Sequence, residues 1–136
     1  MAEFNLNERL ERDTILIKDL KLSKLLLMND SNFFWFILVP REANLKEFHD
    51  LSYDQQIILL KEINQISKII EQRFNPDKIN IAALGNVVSQ LHIHVIARYK
   101  TDAAWPDPVW GKLKATKYQE AEISDIKQTL LADLAN

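Results

Sequence analysis

Five short stretches of the chain are rich in β-branched, aromatic and other apolar residues, a pattern typical of β-strands. The predicted strands are residues 13–19, 24–28, 33–39, 78–84 and 90–99. The third stretch is apolar on both of its faces, so we expect it to lie centrally in a sheet that is covered on both sides. Short links between the first three strands, such as the turn-forming residues 29–32, favour an antiparallel meander.

Two further stretches carry apolar residues at helical spacing. The main helix is predicted to start at a capping box formed by Ser52 and Gln55 and to end at residues 75–77. Its apolar face recurs at steps of three and four and comprises Leu59, Ile63, Ile66, Ile70 and Phe74. A C-terminal helix has one face with Ile123, Ile126, Leu130 and Leu134, and residues 116–119 resemble a second capping box. Short helical turns are predicted near residues 8–10 and 45–48.

Together these elements predict an α+β protein with a five-stranded antiparallel sheet, one main helix and a C-terminal helix. The length of 136 residues fits a single domain, residues 1–136, with a core over about 13–111 and a helical tail over 116–135. Apolar residues make up 47% and charged residues 26% of the chain, as in ordinary globular proteins.

Charge and cysteine content narrow the function classes. The chain has a formal net charge of −2, whereas nucleic-acid-binding domains are usually strongly basic, so no nucleic-acid partner is expected. No apolar run is long enough to span a membrane, and the first residues do not resemble a signal peptide. The absence of cysteine excludes disulfides and thiolate metal sites and suits a reducing cytoplasm, where we expect the protein to be located.

The candidate chemistry lies in the last predicted strand. Because side chains alternate along a strand, Gln90, His92 and His94 are predicted to share one face, with Leu91, Ile93 and Val95 on the other. A glycine turn at residues 85–89 precedes them. Two histidines on one face can simply be polar groups on a solvated sheet, but the glycine turn and the alternating apolar residues favour a chemical site. A neutral imidazole is a competent nucleophile at physiological pH, and phosphorus is an electrophile that it can attack.

Residues 85–98, Gly-Asn-Val-Val-Ser-Gln-Leu-His-Ile-His-Val-Ile-Ala-Arg, resemble the signature of the histidine-triad (HIT) family of nucleotide hydrolases and transferases. That signature reads His-φ-His-φ-His-φ-φ, with φ apolar, after a Gly-Gln-Ser/Thr-φ turn. The resemblance covers about residues 13–111 and is similar to bacterial diadenosine-tetraphosphate-hydrolase-like proteins. It implies the HIT-like fold, attack on the α-phosphate of a nucleotide, no cofactor, and a homodimer with a continuous ten-stranded sheet.

The resemblance also assigns roles to individual positions. His92 matches the nucleophile that forms a nucleotidyl-histidine, and His94 matches the third histidine, which shapes the pocket and helps to fix the tautomer of the nucleophile. Asn86 stands where the family has a glutamine that contacts the phosphate. Asn29 or Asp30 falls at a position that binds ribose hydroxyls, and apolar residues such as Leu27 and Phe36 are suggested to sandwich the base.

The sequence departs from the family pattern at several positions. Gln90 replaces the first histidine, and glutamine cannot carry a proton to a leaving group. Val87 replaces a hydroxyl residue, Asn86 is one methylene shorter than glutamine, and Ala97 replaces a common proline. Since acid–base assistance is worth about 100- to 10,000-fold, we expect slow catalysis or a leaving group that needs little protonation. Arg98 continues the polar face and is either a phosphate ligand or a solvated strand-end arginine.

Two other functions stay open at this point. His92 and His94 are alternatively zinc ligands, with the third ligand supplied by His49 or a carboxylate. The chain is alternatively a nucleotide-binding regulatory dimer with little or no turnover.

Overall fold

A computed structural model of the protein describes residues 2–135 and contains one five-stranded antiparallel sheet. The strands are β1 (Thr14–Asp19), β2 (Ser23–Met28), β3 (Phe34–Pro40), β4 (Lys78–Ala82) and β5 (Ile93–Arg98). The helices are α1 (Glu8–Asp13), α2 (Tyr53–Phe74) and α3 (Glu120–Leu134), with a 3-10 turn at Phe48–Asp50. The α+β fold class and the five predicted strands are therefore confirmed.

The strand order is β1-β2-β3-β5-β4, so β3 lies in the middle of the sheet as its apolar character predicted. Consecutive strands β1, β2 and β3 pair as a meander, and β5 then inserts between β3 and β4. In this register Ile37 faces His94 and Trp35 faces Ile96. As a result, Trp35 and His94 are diagonal neighbours on one face of the sheet, a separation that long aromatic side chains can bridge.

Helix α2 starts where the sequence predicted. The Ser52 hydroxyl accepts a hydrogen bond from the Gln55 N–H at 3.2 Å, and the Gln55 side chain accepts from the Ser52 N–H at 3.1 Å. The helix ends at Asn75, which adopts a left-handed conformation with φ of 47°. Asparagine tolerates this conformation better than most residues, and Pro76 cannot continue a helix.

Side chains cover both faces of the sheet. Helices α2 and α3 cover one face, where a core cluster includes Leu25, Phe36, Leu59, Ile66, Ile70, Ile93, Val95 and Leu130. Helix α1 and the irregular segment after β5 cover the other, where a second cluster includes Leu10, Leu26, Trp35, Ile37, Val88, Ile96, Ala104 and Val109. The alternation predicted for β5 is confirmed, since Ile93 and Val95 belong to the helix-side cluster.

Several boundaries differ from the prediction, and strand β4, for example, ends at Ala82 rather than at residue 84. Strand β5 begins at Ile93 rather than residue 90, because the Leu91 N–H bonds to the Leu45 carbonyl instead of a sheet neighbour. The capping box predicted at residues 116–119 is wrong. Gln119 is the N-cap and pairs with Glu122, while the backbone N–H groups of residues 116 and 118 bond to side chains after β2. The turn predicted at residues 45–48 forms three residues later.

Within residues 2–135, no helix combines the length and apolar character needed to cross a membrane.

Candidate active site

His92 and His94 line the same cavity, about 240 Å³ in volume, on the sheet face opposite α2. Larger hollows of about 390 and 370 Å³ exist, but neither is lined by a histidine. The centroids of the two imidazole rings are 4.9 Å apart, with an angle of 70° between the ring planes. His92 is 7% exposed and His94 is 4% exposed. The structure thus brings the two predicted histidines together at one concave site.

The backbone fixes the protonation pattern of His92. Its Nδ1 lies 2.6 Å from the carbonyl oxygen of Gln90. A carbonyl only accepts hydrogen bonds, so Nδ1 carries the proton and the neutral ring keeps its lone pair on Nε2. The tautomer of His92 is therefore set by the residue two positions earlier, rather than by His94 as the resemblance implied.

His94 has a different partner. The indole Nε1–H of Trp35 donates to His94 Nδ1 at 2.9 Å within the buried part of the site. Trp110 packs its ring edge-on against His94, with ring centroids 5.0 Å apart. Burial, and then the nearby charge of His92, lower the pKa of His94 from 6.5 to about 3. His94 is thus a neutral imidazole throughout the physiological pH range.

The loop before the histidines forms another wall of the cavity. Gly85 has φ of +80°, a left-handed conformation that glycine adopts without steric cost, and the turn brings residues 86–88 to the cavity. Asn86 lines the same cavity as His92. Val87 is 74% exposed, and Val88 is buried in the second core cluster.

Gln90 is directed at the N-terminal segment. Its side-chain oxygen accepts a hydrogen bond from the Asn7 N–H, and its side-chain nitrogen donates to the Asn5 carbonyl, both at 2.9 Å. It does not line the cavity that holds both histidines. Strand β5 starts only at Ile93, so Gln90 and His92 both precede it. The two residues nevertheless line a smaller hollow of about 100 Å³ together.

Arg98 is a buried structural residue rather than a pocket residue. Only 2% exposed, it donates two hydrogen bonds to the carboxylate of Asp102, one to the Asn80 side chain and one to the Asp107 carbonyl. Four of its five N–H donors are therefore engaged by protein groups. Arg98 is not the solvated arginine considered above, and because it does not line the cavity, these contacts give no support to the predicted role as a phosphate ligand. The ion pair anchors the segment after β5, which carries Trp110 to His94.

The residues expected near ribose and base also lie elsewhere. The Asn29 side chain accepts from the Tyr118 N–H, and the Asp30 side chain accepts from the Thr116 N–H and from Asn32. Neither lines the cavity. Leu27 and Phe36 are fully buried in the helix-side core, on the opposite face of the sheet. These four side chains hold the fold together around the site.

Helix α1 supplies cavity residues that sequence reasoning missed, namely Arg9, Leu10 and Asp13. Met28 and Trp35 complete the wall from β2 and β3. Trp35 could have been found as the polar-tipped residue in an otherwise apolar strand, since a buried indole N–H normally needs a partner. Nothing in the sequence around α1 indicated that it would reach the histidines.

A metal centre has few donors here. Among residues 2–135, no group of three or more histidine and carboxylate side chains is arranged to hold a metal ion. His49, the third ligand considered above, lies in the 3-10 turn with its side chain 84% exposed and is absent from the cavity wall.

Comparisons with known proteins agree with this geometry. The HIT domain family model matches residues 9–101. The crystal structure of a histidine triad protein from Bradyrhizobium japonicum is 43% identical over 97% of this chain and 98% of that chain, with a TM-score of 0.95. One from Marinobacter aquaeolei is 43% identical over 98% of both chains, with a TM-score of 0.96.

A more distant relative is a bis(5'-adenosyl)-triphosphatase from Dictyostelium discoideum, which is 31% identical over 96 residues. The match covers 62% of this chain and 59% of that protein. The family match extends across more than half of the chain and includes both buried histidines. The chain therefore belongs to the histidine-triad (HIT) domain family.

Proposed function

We propose that this chain is a nucleotide hydrolase or transferase that acts at the α-phosphate of a dinucleoside polyphosphate or nucleoside phosphoramidate, with His92 as its nucleophile. The observation that carries the proposal is the hydrogen bond from His92 Nδ1 to the Gln90 carbonyl. This bond fixes the ring and leaves the Nε2 lone pair as the reactive atom, at a cavity that also presents Asn86 and His94.

The reaction runs in two displacements. In the first, Nε2 of His92 attacks the α-phosphorus, a phosphorus–nitrogen bond forms, and the leaving group departs with the bonding electron pair. In the second, water attacks the same phosphorus, the phosphorus–nitrogen bond breaks, and one proton of the water passes to the solvent. His92 is returned to its starting state, and the products are a nucleoside monophosphate and the leaving group.

The position of Gln90 limits which leaving groups the enzyme can release. A glutamine does not titrate, and this one is engaged by the N-terminal segment. The leaving group must therefore depart unprotonated or take its proton from water. We expect rates to rise steeply along a series of adenosine monophosphate esters as the leaving group becomes more acidic.

The experiment that tests the nucleophile is rapid quenching with a substrate labelled at the α-phosphate. Bis(5'-adenosyl) triphosphate is the first substrate to use, given the name of the Dictyostelium relative. Label should be trapped on His92 and be absent from His92→Ala. His49→Ala removes an exposed histidine outside the cavity and should retain labelling. Full turnover by His92→Ala would overturn the mechanism.

The second candidate is a nucleotide-binding protein with little or no turnover, and the position of Gln90 favours it. Without a side chain that protonates the leaving group, the site can hold a nucleotide and release it unchanged. Calorimetry with adenosine nucleotides, paired with a product assay, separates the two. Tight binding without product in wild type, equal in His92→Ala, would favour the binder.

We also propose that the chain forms a homodimer through α2 and the sheet edge. Strand β4 lies at that edge, and Ile81 on it is 52% exposed. Tyr53, Ile57 and Leu60 recur at helical spacing on α2, and each is more than half exposed. Exposed apolar stripes and unpaired strand edges are each typical of surfaces that a second copy covers.

A further inference from the structure

The side chain of Trp35 bridges two strands to reach His94. Trp35 lies on β3 and pairs with Ile96, which is two residues after His94 on β5. Its Nε1 lies 2.9 Å from His94 Nδ1. The indole ring also packs edge-on against Trp110, at 5.8 Å between centroids. Trp35 is 7% exposed, so this hydrogen bond is shielded from water.

The chemistry of the two groups permits only one arrangement of protons. An indole N–H can donate a hydrogen bond but cannot accept one. Nδ1 of His94 must therefore present a lone pair, and the proton of the neutral ring must be on Nε2. A doubly protonated ring would place two N–H groups head to head in a buried site. We propose that Trp35 is a positioning residue that holds His94 as the Nε2–H tautomer, so that His94 always offers a hydrogen-bond donor to the cavity.

The surroundings of His94 also keep its ring neutral. The charged or titratable groups that line the cavity with it are His92, Arg9 and Asp13. Arg9 and Asp13 come from α1, with Arg9 Nε 3.9 Å from the Asp13 carboxylate, so their charges offset each other. Burial and the proximity of His92 lower the pKa of His94, which opposes a second proton. No hydrogen bond within residues 2–135 reaches His94 Nε2.

The two histidines thus carry opposite tautomers at neighbouring positions. His92 is protonated on Nδ1 and nucleophilic at Nε2, whereas His94 is protonated on Nε2 and serves as a donor. One consequence of this inference rests on the proposed function. If His92 attacks a phosphate, the Nε2–H of His94 binds a non-bridging oxygen of that phosphate. A donor with fixed orientation stabilises the charge that develops on that oxygen without reorganising during the reaction.

Nitrogen-15 NMR of the free protein tests the tautomers without reference to activity. In wild type, His94 should show an unprotonated Nδ1 and a protonated Nε2 from pH 5 to pH 9. His92 should show the reverse pattern at neutral pH. The exposed side chain of His49 provides an internal reference spectrum. Trp35→Phe keeps an aromatic ring but removes the donor, so His94 should then populate both tautomers. Trp110→Phe is the matched control, because Trp110 contacts the ring without bonding to Nδ1, and the His94 tautomer should not change.

The wild-type spectrum alone can overturn the proposal, whether or not Trp35→Phe folds. A protonated Nδ1 on His94, or a ring that gains a second proton between pH 5 and pH 8, would do so. If Trp35→Phe folds and the His94 tautomer is unchanged, Trp35 does not hold that tautomer.

Enzyme kinetics test whether the fixed Nε2–H of His94 contributes to phosphate binding during turnover. Loss of a fixed donor should lower kcat/KM by up to about tenfold in Trp35→Phe, mainly through kcat, and make the rate more dependent on pH. If wild type shows the predicted tautomers but hydrolyses no nucleotide, the tautomer assignment stands and the proposed function fails. If wild type hydrolyses nucleotides and Trp35→Phe keeps its kcat and its pH profile, the positioning role fails.

Discussion

Replacing Asp102 with asparagine should remove the charge that balances buried Arg98. Asp102 accepts two hydrogen bonds from Arg98 and others from the N–H groups of residues 99, 104 and 105. Asparagine keeps the shape of the side chain but leaves the guanidinium, 2% exposed, without its counter-charge. Breaking one partner of a buried ion pair costs about 3–5 kcal/mol of unfolding free energy, and we expect a loss near the lower end.

The pH dependence gives a second measure of the same interaction. Burial alone would raise the pKa of Asp102, but the hydrogen bonds from Arg98 and the backbone outweigh it and lower the pKa from 3.8 to about 2. Because the folded-state pKa is depressed, the stabilisation is fully present above pH 3.8 and is lost as the pH falls through 2. At about 1.36 kcal/mol per pKa unit, the carboxylate form contributes roughly 2 kcal/mol.

The assay is urea unfolding of wild type and Asp102→Asn at pH 7, repeated at intervals down to pH 2. Asp107→Asn is the control, since the Asp107 carboxylate pairs with Lys112 at 2.8 Å on the surface, where such a pair is worth under about 1 kcal/mol. The gap between wild type and Asp102→Asn should narrow as the pH falls below 4. A loss at pH 7 no larger than that of Asp107→Asn would refute the anchoring role.

Three further results are expected. Gln90→Ala should speed hydrogen exchange of the Asn7 amide by up to about tenfold, because the bond that protects it is lost; unchanged exchange would show that Gln90 does not hold the N-terminal segment. Ser52→Ala should cost about 1 kcal/mol of unfolding free energy through loss of the α2 cap, and denaturant unfolding that detects no loss would contradict this. Leu60→Glu should shift the protein from dimer to monomer in sedimentation equilibrium, whereas a monomeric wild type would refute the proposed interface.

Local patterns predicted most of the secondary structure. Strands β1 to β4 and helix α2 follow from residue type, alternation and helical spacing within about 20 positions, and the α2 cap was predicted to the residue. The errors occur where a distant group competes with a local pattern. Strand β5 starts late because Leu91 bonds to residue 45, and α3 starts late because side chains after β2 capture residues 116 and 118.

The sequence by itself determined the family, the five strands and the identity of the two histidines, because the motif is contiguous and strand alternation is a local property. Only the tertiary structure decided what surrounds them. Trp35 lies 59 positions from His94, and Gln90 lies 83 from Asn7, so each contact depends on how the sheet and the N-terminal segment pack. Arg98 follows the polar face in sequence but is buried, since the chain beyond β5 folds back over it. A side chain's neighbours across the sheet decide whether it binds substrate or anchors the fold.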